Sequence, residues 1–176
     1  MGQGRDVDNT RPQAISRLPA AIERLCWHHE VDDDAVGVAM KETLVPGLTH
    51  QARIVVDDSL TVPAVSQHLA AFADMPPVFA TAMMVGFIEA TCIELMAPHL
   101  DEGEHSVGVH VDVGHTAATP VGMDVLAEVA LTAVEGRILT FEVKAFDDAG
   151  PIGGGVHKRA VILKDRFMEK VAAKVA

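Results

Sequence analysis

Residues 76–97, which read PPVFATAMMVGFIEATCIELMA, decide the fold of this chain. The two prolines favour a helix start, because a first-turn residue needs no intrahelical N–H bond. Pro98 ends the helix. Nearly every position between is apolar, so we expect the helix to be covered on most sides instead of lying on a surface.

A membrane-spanning helix is the alternative for this stretch, since about 20 apolar residues cross a bilayer. Glu89 near the middle and Glu94 near the end argue against a span. The stretch also has no Lys or Arg at either end to set its orientation. We therefore predict no membrane contact, and a soluble helix that is wrapped by a sheet.

Two polar residues of this helix need an explanation. Thr81 and Glu89 are eight positions apart, which places them about 80° apart around the helix axis, on one side. A carboxylate in apolar surroundings is costly unless it is paired or protonated. Glu89 is therefore either a partnered structural acid or a functional one. Thr81 either bonds its own helix or serves a site.

Length and composition exclude several classes of protein. A chain of 176 residues makes one domain, or one domain with an extension. Its net charge of −11 argues against nonspecific nucleic-acid binding. Two unclustered cysteines indicate neither a disulfide framework nor a zinc site. The first 20 residues lack an apolar run, so we expect a cytoplasmic setting.

The beginning of the chain differs from the rest. We predict an N-terminal helical extension over residues 1–45, with a short amphipathic helix from Pro19 and a linker over 31–45. The main domain then covers residues 46–176.

A metal site is conceivable in this extension, where His28, His29 and Glu30 precede the acidic residues 32–34. Adjacent residues do not share a helix face, however. A solvated surface is the simpler interpretation, and we expect no bound metal.

Strict alternation over 105–115 predicts a strand with valines on one face. His115 has the parity of those valines and points toward the helix if no bulge intervenes. Glycines 153–155 indicate a bulge or a close backbone approach, since a phosphate loop would end in Gly-Lys-Ser/Thr. The predicted strands are 48–56, 105–115, 125–134, 138–146 and 156–163, followed by a helix over 165–175.

One strand, a long apolar helix and four closely connected strands indicate an α+β fold. An antiparallel sheet curled around the single helix satisfies this order, which is the hot-dog arrangement. Such a sheet leaves an open edge, and pairing with a second copy commonly covers it. We therefore expect a homodimer.

Several short motifs resemble those of the fluoroacetyl-CoA thioesterase family of hot-dog enzymes. Each motif is weak alone, but the combination is specific and covers residues 76 to 168, with a fainter similarity back to about residue 46. The first 40 or so residues match nothing in that family. The matching segments are 77–81 (PVFAT), 84–86 (MVG), Glu89, 96–98 (MAP), 115–120 (HTAATP), 134–137 (VEGR) and 155–162 (GVHKRAVI).

The resemblance implies a site for hydrolysis of a small acyl-CoA at a dimer interface. Thr81, Glu89 and His115 fall on the family's catalytic threonine, glutamate and histidine. Gly108 falls on the glycine whose backbone N–H contacts the thioester carbonyl, and Arg159 on an arginine of the active site. The coenzyme A belongs to the substrate, and no further cofactor is implied.

The chemistry that these residues support is acyl transfer to water. A backbone N–H stabilises the oxyanion, Glu89 in an apolar helix is expected to have the raised basicity of a base or nucleophile, and His115 passes a proton to the leaving thiolate. Thr81 orients the water or the carboxylate. Whether an acyl-enzyme forms on Glu89 or Thr81 stays open. A hot-dog hydratase or dehydratase and a non-catalytic acyl-CoA-binding module are the alternatives.

Two further groups of residues are predicted to contact the substrate. Phe72 and Met75 precede the helix, where we expect acyl-group selectivity to reside. The coenzyme A phosphates need cations, and no Lys or Arg occurs between Ile54 and Gly136. The predicted phosphate contacts are Lys158, Lys164 and Arg166.

Overall fold

A computed structural model of the chain describes residues 38–67 and 69–175. The predicted helix from Pro19, the conceivable metal ligands near His28 and one of the two cysteines lie outside the described residues. The strands are β1 (Thr49–Val55), β2 (Glu104–His115), β3 (Asp124–Glu135), β4 (Ile138–Asp147) and β5 (Gly150–Leu163); the α-helices are α1 (Thr81–Met96) and α2 (Lys164–Ala173). Short 3₁₀ turns cover Asp58–Leu60, Val62–Gln67, Ala70–Phe72 and Ala97–His99.

The five strands form one antiparallel sheet in the order β1-β3-β4-β5-β2. The sheet packs against α1, which confirms the predicted α+β hot-dog arrangement. The core lies between them, where buried residues of α1 such as Met84, Ile88 and Cys92 meet β3 and β4 residues such as Phe141.

The strand β5 begins at Gly150, six residues before the predicted start at 156. Its glycines allow β2 and β5 to approach closely, because a Cβ on Gly153 or Gly155 would collide with a carbonyl oxygen of β2. The predicted close backbone approach is therefore confirmed. Valine-rich alternation did not reveal these residues as strand, because glycines carry no side-chain pattern.

The prediction that the helix starts at Pro76 is wrong, because α1 begins at Thr81. The preceding residues are extended and pair with distant segments: Val78 bridges Pro120, and the Phe79 N–H donates to the Thr119 carbonyl at 2.9 Å. These long-range bonds outweigh the local preference of the prolines. Thr81 consequently stands at the first position of the helix.

A single chain covers only one side of α1, whereas we expected the helix to be covered on most sides. The other side exposes a strip of small and apolar residues: Ala82, Gly86, Ala90 and Ile93, the last 46% exposed. By length and composition alone Thr81–His99 is long enough to cross a membrane, with 33% of it buried. In this fold it is the central helix of the sheet.

A β-bulge in β2 changes which residues face the helix. Positions 159 and 158 of β5 lie opposite Gly108 and His110, so Val109 has no partner. Gly108 faces the helix, and Val107 therefore faces away, the reverse of the predicted stripe. The bulge shifts the parity, and His115 still ends on the helix side, opposite Gly153.

The described end of the predicted linker packs on the domain. Leu44 is buried in the core. The backbone N–H groups of Ala39 and Met40 donate to the Glu104 carboxylate at 2.7 and 3.1 Å. The boundary between residues 45 and 46 stays a prediction.

Candidate active site

Thr81 and His115 meet where the first turn of α1 reaches the end of β2. The Thr81 hydroxyl is exposed, and its Oγ1 lies 2.9 Å from Nδ1 of His115. The His115 ring is half-buried and packs edge-on against Phe79, with ring centroids 6.3 Å apart. Beside the pair opens a cleft of about 270 Å³, whose lining includes Val78 and Thr116.

The His115 imidazole is held in its neutral form. Burial lowers its pKa from 6.5, because desolvation disfavours the charged ring. When Nδ1 accepts a hydrogen bond from the Thr81 hydroxyl, the ring hydrogen of the neutral imidazole resides on Nε2. Nε2 is buried and has no hydrogen-bond partner among the described residues. The backbone of Ala117 lies close to the ring and partly offsets the effect of burial on the pKa. Because Nε2 is buried, a substrate reaches it only when the surrounding residues move.

Glu89 lies two turns further along α1 and is partnered. Its Oε1 is 3.1 Å from Nη1 of Arg159 and 3.3 Å from Nε2 of His157. The Glu89 side chain is 34% exposed. Of the two interpretations left open for this residue, a partnered acid is the one observed, because a guanidinium from β5 faces the carboxylate.

Arg159 lies behind Glu89 and is only 4% exposed. Its Nε donates to the Ser106 hydroxyl at 2.9 Å, and its Nη2 donates to the Ser106 carbonyl at 3.1 Å. Burial lowers its pKa from 12.5, yet a guanidinium keeps its charge in proteins. The guanidinium therefore fixes the carboxylate of Glu89 against β2.

The Glu89 carboxylate occupies the space in which a side chain at position 108 would lie, so this position requires glycine. A Cβ built on Gly108 would overlap Oε1 of Glu89 and lie 3.3 Å from Cε1 of His157. The carboxylate consequently rests directly on the strand, over the glycine that the sequence singled out. Any larger residue displaces Glu89.

The structure divides the predicted catalytic residues into two groups. Thr81 and His115 form one pair, and Glu89, Gly108 and Arg159 form the other. Eight residues of helix at about 1.5 Å per residue separate Thr81 from Glu89 by roughly 12 Å along the axis. A single chain does not bring Glu89 to His115.

The predicted selectivity residues lie in the segment before α1. Phe72 ends the third 3₁₀ turn and is half-buried, and Met75 is 48% exposed. The Met75 N–H donates to the Phe72 carbonyl at 3.2 Å. Val78, three residues further on, lines the cleft at Thr81. A contact of Phe72 or Met75 with substrate stays a prediction.

The three predicted phosphate ligands lie elsewhere. Lys158 alternates with Arg159 and points to the outer face of the sheet. Lys164 opens α2, where its N–H donates to the Gly103 carbonyl at 3.0 Å, and Arg166 follows in the first turn. Both are near the start of β2, at the end opposite His115. Their role stays a prediction.

His157 is the site residue that sequence reasoning missed. It is 1% exposed and lies next to the Glu89 carboxylate. Residues two apart in a strand share a face, so His157 could have been placed beside Arg159 from the spacing alone. In residues 38–67 and 69–175, no group of three His, Cys, Asp or Glu side chains is arranged to hold a metal ion.

Comparisons with known proteins identify the family of this chain. The family model described as fluoroacetyl-CoA-specific thioesterase matches residues 56–165. The fluoroacetyl-CoA thioesterase of Streptantibioticus cattleyicolor is 48% identical over 103 residues, which are 58% of this chain and 74% of that protein. A crystal structure of a fluoroacetyl-CoA thioesterase superposes with a TM-score of 0.72 at 42% identity, covering 74% of this chain and 97% of the other.

A more distant structure extends the similarity. A thioesterase superfamily member from Thermus thermophilus has a TM-score of 0.66 at 26% identity, over 75% of this chain and 93% of its own. Fold and matches together define a hot-dog thioesterase, and hence a thioester hydrolase. The chain belongs to the fluoroacetyl-CoA-specific thioesterase family.

Proposed function

We propose that this protein hydrolyses the coenzyme A thioester of a small acyl group to the free acid and coenzyme A. The observation that carries the proposal is the Thr81–His115 hydrogen bond beside a cleft of about 270 Å³. A related fluoroacetyl-CoA thioesterase has been crystallised with fluoroacetate and coenzyme A. Fluoroacetyl-CoA and other short acyl thioesters are therefore the first substrates to test.

The proposed chemistry divides between the two groups of residues. In the direct route, water oriented by Glu89 adds to the thioester carbonyl carbon. In the covalent route, Glu89 attacks that carbon, and water then hydrolyses the acyl–Glu89 anhydride and restores the carboxylate. The backbone N–H of Gly108 stabilises the oxyanion. The neutral His115 ring, which Thr81 holds in place, takes the proton of the attacking water, and when the C–S bond breaks it passes that proton to the leaving thiolate. The reaction consumes the thioester and one water and forms the free acid and the coenzyme A thiol, so its chemistry requires no cofactor.

We further propose a homodimer whose sites combine both subunits. β2 is an edge strand of the sheet, and the strip at Ala82, Gly86, Ala90 and Ile93 on α1 is exposed. Pairing β2 antiparallel with a second copy makes the edge continuous and covers this strip. It also sets the end of one β2 beside the first half of the other. The partner's His115 then approaches Glu89.

The same pairing supports the proposed phosphate contacts. α2 begins beside the first residues of β2. In the proposed antiparallel pairing the partner's His115 lies beside these same first residues, and therefore on the side of Lys164 and Arg166. Coenzyme A needs local cations because the chain carries a net charge of −11. Lys158, on the outer face, is the most distant of the three.

The Cys92 thiol takes no part in the proposed hydrolysis. Cys92 is completely buried in the core, and burial raises its pKa to about 12. Such a thiol stays protonated and reduced. It is therefore a packing residue, not the nucleophile of the hydrolysis.

A thiol-release assay over a panel of short acyl-CoAs tests the proposed activity. We expect turnover with at least one short acyl-CoA, and slower turnover with long-chain acyl-CoAs. Tight binding of acyl-CoA without thiol release would instead indicate a binding module. Addition of water to an enoyl-CoA with the thioester intact would indicate a hydratase. Either of the last two results would contradict the proposal.

A further inference from the structure

We infer that His157 is a positioning residue that aims the guanidinium of Arg159, and through it the carboxylate of Glu89, at the site over Gly108. This inference rests on the proposed function, since it concerns how Glu89 is held for hydrolysis. His157 is 1% exposed and therefore acts through its neighbours, without touching substrate.

The hydrogen bonds of His157 fix which nitrogen carries its proton. Nδ1 lies 2.8 Å from the carbonyl oxygen of His110, and a carbonyl oxygen only accepts. Nδ1 therefore donates, and in the neutral ring Nε2 offers a lone pair. Oε1 of Glu89 lies 3.3 Å from Nε2, and because both are acceptors, only a shared donor joins them. Burial favours this neutral ring, because it lowers the pKa of His157 below 6.5.

The lone pair on Nε2 orients Arg159. Nη1 of Arg159 carries two hydrogens, and it lies 3.2 Å from Nε2 of His157 and 3.1 Å from Oε1 of Glu89. One hydrogen goes to the imidazole and the other to the carboxylate. Nε and Nη2 are occupied by Ser106. All three guanidinium nitrogens consequently have a partner, and the direction of the bond to Glu89 is fixed.

The attachment points on β2 show what this arrangement positions. Ser106 lies two residues before Gly108, and His110 lies two residues after it, beyond the bulge at Val109. Arg159 holds the first point and His157 the second. The two side chains from β5 therefore grip β2 on both sides of Gly108. They fix the distance between the Glu89 carboxylate and the backbone N–H proposed to stabilise the oxyanion.

Two conservative substitutions separate the contacts of His157. In His157→Asn the amide nitrogen takes the place of Nδ1 and keeps the bond to His110, while the acceptor for Arg159 is lost. In His157→Gln the amide oxygen reaches the place of Nε2 and keeps that acceptor. We expect His157→Asn to lower kcat about 10- to 100-fold, as lost support of a site residue does, with KM within about twofold. His157→Gln should recover most of kcat.

The deciding measurement combines His157→Asn with Glu89→Gln. If His157 acts through Glu89, the double variant is no more than about twofold slower than Glu89→Gln alone, because the effects of residues acting as a unit do not add. His50→Asn, at an exposed histidine bonded to Glu94, is the matched control and should keep wild-type kcat.

Three results would overturn the inference. They are a folded His157→Asn enzyme with wild-type kcat, a loss of kcat that is equally large in the Glu89→Gln background, and failure of both His157 variants to fold by circular dichroism. The last would assign His157 to stability alone. Failure of the proposed function looks different, since the wild-type protein itself would then release no thiol from any acyl-CoA of the panel.

Discussion

The two halves of the site are held in opposite ways. Thr81 and His115 share one hydrogen bond, the hydroxyl is exposed, and Nε2 of the ring has no partner in the described chain. Glu89, in contrast, meets a buried guanidinium and a buried imidazole that are themselves tied to β2. The Glu89 half is preorganised, which is how protein electrostatics become useful for catalysis. The Thr81–His115 half is incomplete without a substrate or a second subunit.

Removing the charge or the ring from either half should have the largest effect. We expect Glu89→Gln and His115→Ala each to lower kcat at least about 100-fold, since each removes a proton-transfer group. A thiol-release assay measures kcat, and circular dichroism shows whether each variant is folded. Glu94→Gln is the control on the same helix, because Glu94 is exposed and pairs with His50. Its kcat should equal that of the wild type, and near-normal turnover in both test variants would remove both residues from the mechanism.

Crowding the preorganised half should have the next largest effect. A methyl group at Gly108 overlaps the Glu89 carboxylate, and a misplaced catalytic group can cost up to about 100-fold. We expect Gly108→Ala to lower kcat about 10-fold or more with little loss of stability, because Glu89 can swing away. At Gly114, in the same strand, a Cβ meets nothing closer than 3.8 Å. Equal kcat in Gly108→Ala and Gly114→Ala would show that the placement of Glu89 is unimportant.

Charge reversal should separate binding from chemistry. Changing Lys158, Lys164 and Arg166 to glutamate should raise KM for acyl-CoA several-fold and weaken its salt dependence, with kcat largely unchanged. Steady-state kinetics at two ionic strengths measure both effects. If KM stays constant, while reversal at Arg11, Arg17 and Arg24 raises it, the N-terminal extension binds the phosphates instead.

The pH dependence of stability is the smallest effect that we expect. Burial lowers the pKa of both His115 and His157 from 6.5, so below that pH the unfolded chain binds more protons than the folded one. Stability is then present above pH 6.5 and is lost as the pH falls. The Tm, measured at one protein concentration, should decrease from about pH 7.5 to about pH 5.5. The decrease should be smaller in His157→Gln, and an identical slope would contradict the assignment of His157.

Local pattern predicted the fold well because alternation and turn residues are local signals. The strands came within a few residues of their observed bounds, except where glycines 153–155 carry no pattern. The helix start failed because bridges to Thr61 and Pro120 hold residues 78–79 extended. The bulge at Val109 was invisible, since valines alternate without interruption across it.

The site was predicted by resemblance more than by physics. The motifs supplied Thr81, Glu89 and His115, but no local signal shows that Glu89 pairs with a guanidinium 70 residues away. The same long-range contact makes Glu89 a partnered and fixed carboxylate, which was one of the two open interpretations. Helix geometry separates Glu89 from Thr81, and hence from His115. The sequence alone did not show that this separation divides the site, because the bulge hid that Gly108 and His115 of β2 both face the helix.

The central claim is that the two halves work together across a dimer, and subunit mixing tests it most directly. Glu89→Gln and His115→Ala protomers are refolded together in equal amounts, and thiol release is compared with each variant alone. Random pairing makes half of the dimers mixed, and each mixed dimer has one intact site of two, so about a quarter of wild-type activity should return. Activity that stays at the level of the separate variants would contradict a site shared between subunits.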